Sequence, residues 1–187
     1  MEKVHQRSVN FSKTTITELM IPSYANFGGK IHGGILLSLM DKVAFASSSK
    51  HAGAYCVTVS VDRVDFLQPV EVGDLVHLNA SINYVGNTSL VVGIKVIAEN
   101  VKLGLVKHTN TSFFTMVAKG DDNKPMVVPE LVLESEIDVK RFVEAIERKE
   151  LKTLDRNQLK KAKIQFEIHK EIKKLKGERC LIQLTNQ

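Results

Sequence analysis

The residues with the clearest chemical potential lie in one short run: Asn26-Phe-Gly-Gly-Lys-Ile-His32-Gly33-Gly34-Ile-Leu-Leu-Ser-Leu-Met-Asp41. Gly33 and Gly34 open a helical segment, and glycine lets another molecule approach the backbone closely. The first amides of a helix have no partner inside it, and the helix dipole adds to their pull on negative charge. A carbonyl under nucleophilic attack develops such a charge, so these amides have the character of an oxyanion hole. A glycine pair that merely starts a helix is the simpler alternative. Asp41 follows Gly34 by seven residues, which is nearly two helical turns and about 10 Å along the axis. It therefore shares a helix side with the glycine amides. A carboxylate in so apolar a helix costs several kcal/mol unless paired or solvated. That suits a base or a nucleophile. Alternatively, Asp41 shares an exposed stripe with Ser38 and Lys42. Asn26, on the preceding loop, has an amide that can donate to a carbonyl or hold a water, and it is also a common turn residue.

Elements of two kinds must position this run. Lys13–Ile21 is rich in Thr and Ile, stops at Pro22 and reads as a strand. Residues 35–50 lack Pro and Gly and are apolar nearly all round, which predicts a buried helix. In Tyr55–Pro69 the apolar positions change parity, which predicts a bulge near Asp62–Arg63. Residues 75–84 alternate, with Val76, Leu78, Ala80, Ile82 and Tyr84 on one face and His77, Asn79, Ser81 and Asn83 on the other. Gly86-Asn87 makes a hairpin turn into a strand over 90–98, and a last strand covers about 106–118. Successive hairpins give an antiparallel sheet, and one long apolar helix invites that sheet to curl around it. The sequence predicts an α+β chain with a C-terminal helical extension.

The turn-rich segment Lys119–Pro129 separates two regions, 1–130 and 131–187. In the second, Val139, Phe142, Val143 and Ile146 have helical spacing, and Ser135 before Asp138 is a plausible N-cap. A further helix is expected over 157–176, with Leu159, Ile164, Ile168, Ile172 and Leu175 as its apolar side. Both helices are expected to dock on the first region or a neighbouring subunit.

Composition excludes several classes. Hydrophobic residues make up 43% and charged residues 25%, which is globular. The net charge of +5 resides mainly in residues 131–187, where 14 Lys+Arg face 10 Asp+Glu. Signs are interspersed there without interleaved aromatics, so no nucleic-acid partner is expected. No run of about 18 apolar residues suggests a membrane span. Residues 1–10 lack the apolar core of a secretory signal. Cys56 and Cys180 form no CxxC and are expected to be reduced thiols of a cytoplasmic protein. The histidines show no metal-ligand spacing, and no metal is expected.

The order of these motifs resembles the hotdog-fold acyl-CoA thioesterases, in particular the cytosolic, brain-type acyl-CoA hydrolase branch and its bacterial relatives. The loop Asn, Gly-x-Ile-His-Gly-Gly and Leu-x-x-Met-Asp carry the likeness. So do Val57-Thr58-Val59-Ser60-Val61-Asp62-Arg63-Val64-Asp65-Phe66, Val72-Gly73-Asp74, Gly86-Asn87-Thr88-Ser89-Leu90, Phe114–Ala118 and Lys124–Pro129. The resemblance implies a hotdog fold over roughly residues 12–130. It also implies hydrolysis of fatty acyl-CoA to free acid and coenzyme A. Asp41 matches the family's catalytic carboxylate. Asn26 matches the Asn that orients the thioester or the water, supplied across a dimer interface. Gly34, with Gly33 beside it, matches the amide that polarises the carbonyl. Thr58 lies near the site, and Thr88 and Ser89 match a turn that contacts coenzyme A. The resemblance implies at least a homodimer, commonly a trimer of dimers, with no cofactor beyond the acyl-CoA substrate. A non-catalytic acyl-CoA sensor and a phenylacetyl-CoA-type thioesterase using His32 are the alternatives. A hotdog dehydratase is disfavoured, because neither His-Phe-Pro-Gly nor Asn-Pro-x-His occurs. His32 more simply fixes the loop.

Overall fold

The computed structural model describes residues 5–164 and 166–183. Five antiparallel strands form the main sheet: β2 (Thr14–Leu19), β3 (Tyr55–Val61), β4 (Leu75–Val85), β5 (Ser89–Asn100) and β6 (Leu105–Lys119). Their order is β2-β4-β5-β6-β3, so β2 and β3 are its edges. A short parallel pair joins β1 (Gln6–Ser8) to β7 (Glu130–Val132), and a one-turn helix α1 (Val9–Ser12) follows β1.

The long helix α2 (Gly33–Ala52) packs on one face of this sheet. It ends at Gly53, whose φ of 68° is left-handed and whose amide closes the last turn on Ser49 O. Leu36, Leu39, Met40, Val43 and Ala44 of α2 interdigitate with Val76, Leu78, Ile82, Val92, Ile94, Val96, Phe114 and Met116. Strand alternation places those sheet residues on the face toward α2. The expected curled sheet around a central helix is therefore present, and its fold class is that of a hotdog.

Three local expectations need correction. The helix is not buried all round, because Leu37, Ser38, Asp41, Lys42 and Phe45 form an exposed side. The strand expected over 55–69 ends at Val61, and its register shift falls between Thr58 and Ser60 rather than at Asp62–Arg63. Beyond it the chain still follows β6 through isolated bonds from Asp62 N to Phe113 O and from Leu67 N to Thr109 O. In the C-terminal region a single helix α3 (Glu136–Ile164) replaces the two expected. A separate short helix α4 (Ile168–Glu171) and one 3-10 turn (Ile172–Leu175) follow it. Gln165, inside the second expected helix, lies outside the described residues.

The N-cap expected at Ser135 is present. Asp138 N–H donates to Ser135 Oγ at 3.3 Å, and Ser135 Oγ donates to Asp138 Oδ2 at 2.7 Å. The chain forms two compact units, residues 1–146 and 147–187, so the first three turns of α3 belong with the sheet. That division falls later than the turn-rich segment because Ala145 is buried and Phe142 packs at a tilt against Tyr84, ring centroids 5.0 Å apart. In the second unit, residues 147–164 are exposed almost throughout. No described helix is long and apolar enough to cross a membrane.

Candidate active site

Asp41 stands on the exposed side of α2, close to the edge strand β3. Thr58 Oγ1 donates to Asp41 Oδ1 at 2.6 Å, and Met116 Sδ lies 3.4 Å from the same hydroxyl. A hydrogen bond to a charged acceptor is worth about 1.5–3 kcal/mol, enough to fix the carboxylate's orientation. Beside this pair opens a cleft of about 330 Å³ lined by Lys42, Phe45, Tyr55, Cys56, Val57 and Met116. Asp41 is exposed in the single chain, so the cost of burying it does not arise there; the exposed-stripe alternative with Ser38 and Lys42 describes the isolated subunit. Cys56 is buried, and that burial pushes its thiol pKa up, which leaves it a protonated wall of the cleft.

The loop before α2 is tied down by its own polar groups. Asn26 Oδ1 accepts from Gly28 N–H at 2.9 Å and from Lys30 N–H at 3.2 Å. Two backbone donors on one side-chain atom identify it as the oxygen, so the Nδ2 group faces away as a donor. His32 caps the helix: Gly34 N–H donates to His32 Nδ1 at 2.9 Å. His32 thus fixes the loop. The same bond engages the Gly34 amide that sequence matching assigns to the oxyanion. Gly33, one residue earlier, lies ahead of the helix's own hydrogen bonds, and the Phe66 ring covers it, 3.3 Å from where a Cβ would stand.

The structure therefore brings Asp41 and Thr58 together in one chain. It holds Asn26, Gly33 and Gly34 at the other end of the same two helical turns, outside the Asp41 cleft. Thr88 lies in the turn after β4 and Ser89 opens β5; Thr88 O accepts from Ala118 N–H at 3.0 Å. Register aligns Thr58 with Met116 and Met116 with Leu90. Ser89, one residue before Leu90, takes the opposite face from Thr58. Neither turn residue meets Asp41 within the subunit. Phe45 could be found from sequence, four residues after Asp41 on one helix side. Met116 could not, because its place depends on the β3–β6 register.

A model of the thioesterase superfamily matches residues 28–105. The Helicobacter pylori protein VdlD is 44% identical over 142 residues, which cover 76% of this chain and 81% of that protein. The uncharacterized acyl-CoA thioester hydrolase YkhA of Bacillus subtilis is 35% identical over 148 residues, 79% of this chain and 86% of its own. This chain belongs to the thioesterase superfamily. The mouse cytosolic acyl coenzyme A thioester hydrolase is 32% identical over 139 residues, 73% of this chain but 36% of that longer protein. Among solved structures, a hexameric acyl-CoA thioesterase superposes with a TM-score of 0.78 at 34% identity, covering 80% of this chain and 96% of that one. The acyl-CoA hydrolase of Staphylococcus aureus, solved with butyryl coenzyme A and coenzyme A, gives 0.74 at 29% identity over 86% of this chain and 99% of that one. That hydrolase has also been solved as single alanine variants of an aspartate, an asparagine and a threonine.

Proposed function

We propose that this superfamily member hydrolyses acyl-CoA thioesters, with Asp41 as the reacting carboxylate and Thr58 as the residue that positions it. The observation that carries the reading is the Thr58 hydroxyl on Asp41 at the mouth of an open, largely apolar cleft. Asp41 takes a proton from water as the water oxygen bonds to the carbonyl carbon, or it attacks that carbon itself and water then opens the anhydride. In both routes the C–S bond breaks, the thiolate of coenzyme A leaves, and the acid product keeps the new oxygen. A thiolate leaves readily, so the step needs neither a strong general acid nor a metal; the thioester is substrate, and no cofactor takes part.

The developing oxyanion calls for donors near the start of α2. Gly33 N–H is one, Asn26 Nδ2 is another, and Gly34 N–H serves when it exchanges His32 Nδ1 for the substrate oxygen. Thr88 and Ser89 then contact coenzyme A from a different subunit. Support for sites shared between subunits comes from the edge beside Asp41. Val59 is 60% exposed, and Tyr55, Val61, Phe66, Leu67, Leu37 and Phe45 are exposed apolar side chains of β3, the segment after it and α2. An open, apolar edge strand is a pairing surface, and a second copy seated there would cover the cleft and bring its own Asn26. A trimer of such dimers is the assembly we favour, in line with the hexameric neighbour. In the S. aureus hydrolase, the three residues replaced by alanine have the same types and sequence spacing as Asn26, Asp41 and Thr58, which also supports this site. A cytoplasmic location fits the reduced thiols and the cytosolic relative.

The test is thiol release from an acyl-CoA series by the wild type and by Asp41→Ala. Loss of at least about 100-fold in kcat is expected, since positioned general bases contribute 10²–10⁴. Full activity in the variant would discard this site, and tight acyl-CoA binding without turnover by the wild type would make the protein a sensor.

A further inference from the structure

On the face of the sheet away from α2, one row of polar side chains runs across the strands. In register across four strands stand Thr15, Asn79, Lys95 and Thr111. Ser81 and Asn83 follow on β4, yet they are only 8% and 5% exposed. Over them the first turns of α3 present Ile137, Arg141 and Glu144, at i, i+4 and i+7 on one helix side. Sheet and helix enclose an open groove of about 660 Å³, lined by these residues and Lys13 and floored in part by the apolar Ile97 and Phe113.

The hydrogen bonding of this groove has a direction. Thr15 Oγ1 donates to Asn79 Oδ1 at 3.0 Å, and Ser81 Oγ donates to Asn83 Oδ1 at 3.1 Å. Both amide oxygens are therefore engaged, and both NH2 groups remain as donors. A Cβ at position 93 would come within 2.4 Å of Asn83 Nδ2, so Gly93 is what lets this buried amide lie across β5. Lys13, Lys95 and Arg141 bring three cations against the one carboxylate of Glu144, which lies 3.9 Å from Lys140 Nζ. Among the described residues, neither Lys95 nor Arg141 is in an ion pair. Amide donors and cations that converge on one groove without protein acceptors form a donor set that a bound oxyanion would engage.

We propose that this groove is a binding site for a phosphate-bearing small molecule, separate from the Asp41 cleft on the opposite face of the sheet. A phosphate offers three acceptor oxygens and up to two charges, which match two amide donors and the fork of Arg141. The groove is of small-ligand size. One source of such a group is a free nucleotide or phosphorylated metabolite. The other is the phosphates of coenzyme A, a source that rests on the function proposed above.

The experiment is isothermal titration of the full-length protein with pyrophosphate and with ADP, comparing wild type, Lys95→Glu and Arg141→Glu. The expected result is saturable binding by the wild type that weakens at least tenfold in each variant. Asp41→Ala should bind as the wild type does, so this readout stands or falls independently of hydrolysis. KM for acyl-CoA separates the sources: a rise in both charge reversals assigns the groove to coenzyme A, and an unchanged KM assigns it to a separate ligand. No binding by the wild type, or equal binding by all three proteins, would overturn the site. So would a change in oligomer mass caused by the charge reversals, because the groove would then be a contact between copies.

Discussion

At the scale of single residues, the paired Asp41 and Thr58 separate function from packing. The hydroxyl gives the carboxylate one orientation, and a Thr58→Val variant keeps the shape while removing the donor. We expect its kcat to fall about ten- to hundredfold, from the loss of a hydrogen bond to a charged group worth about 1.5–3 kcal/mol, with folding intact. An unchanged kcat would leave Thr58 with a packing role only. His51 tests burial instead. It is fully buried, its Nε2 lies 3.1 Å from Pro129 O, and burial lowers its pKa from 6.5. Below pH 6.5 the unfolded chain takes up a proton that folded His51 refuses, so stability is whole above that pH. It drops as pH falls toward the depressed native value, by at most about 1.4 kcal/mol per pH unit. Denaturation midpoints between pH 7.5 and 5 should decline less steeply in His51→Gln, and equal slopes would exclude His51 as the cause.

At the scale of elements, local pattern carried far where one face decides the outcome. The alternation in 75–84 gave β4 its two faces correctly as far as Ile82. Tyr84 departs because the register shifts between Ile82 and Tyr84, which turns the ring toward Phe142. Such a shift depends on the partner strand, and a single sequence does not contain it. The helix α3 was misread for a different reason. Residues 147–156 have no apolar stripe, so they read as a gap between helices, yet they also have no Pro or Gly to end one. Asn26, Gly34 and Asp41 were legible as types at a spacing. The bond from Gly34 to His32 was not, because capping geometry is set by the fold of the loop. The packing of α3 has a direct check: Phe142→Ala should destabilise the sheet unit by about 1–3 kcal/mol, less than a fully buried Phe would cost. Chemical denaturation that finds no loss would mean the first turns of α3 dock without contributing.

At the scale of the whole molecule, the two groups of residues proposed to act together do not meet within one chain. Asp41 and Thr58 face an open apolar edge, while Asn26 Nδ2 points away from its loop with its oxygen held by Gly28 and Lys30. If two copies complete each other across β3, defects in different halves must compensate. Asp41→Ala and Asn26→Ala homo-oligomers should each be nearly inactive. Unfolded together and refolded, or co-expressed, they form mixed dimers in which one of the two sites receives Asp41 from one chain and Asn26 from the other. Random pairing makes half the dimers mixed, so about a quarter of wild-type sites should reappear. The count is insensitive to whether dimers assemble further, because each site draws on two chains only. Sites built within single chains would give no recovery at any mixing ratio. A third variant, Val59→Glu, separates assembly from chemistry: a charge on the exposed edge should disrupt pairing and abolish turnover while leaving Asp41 and Thr58 in place. A monomer that retained activity would show that the second copy supplies nothing the reaction needs.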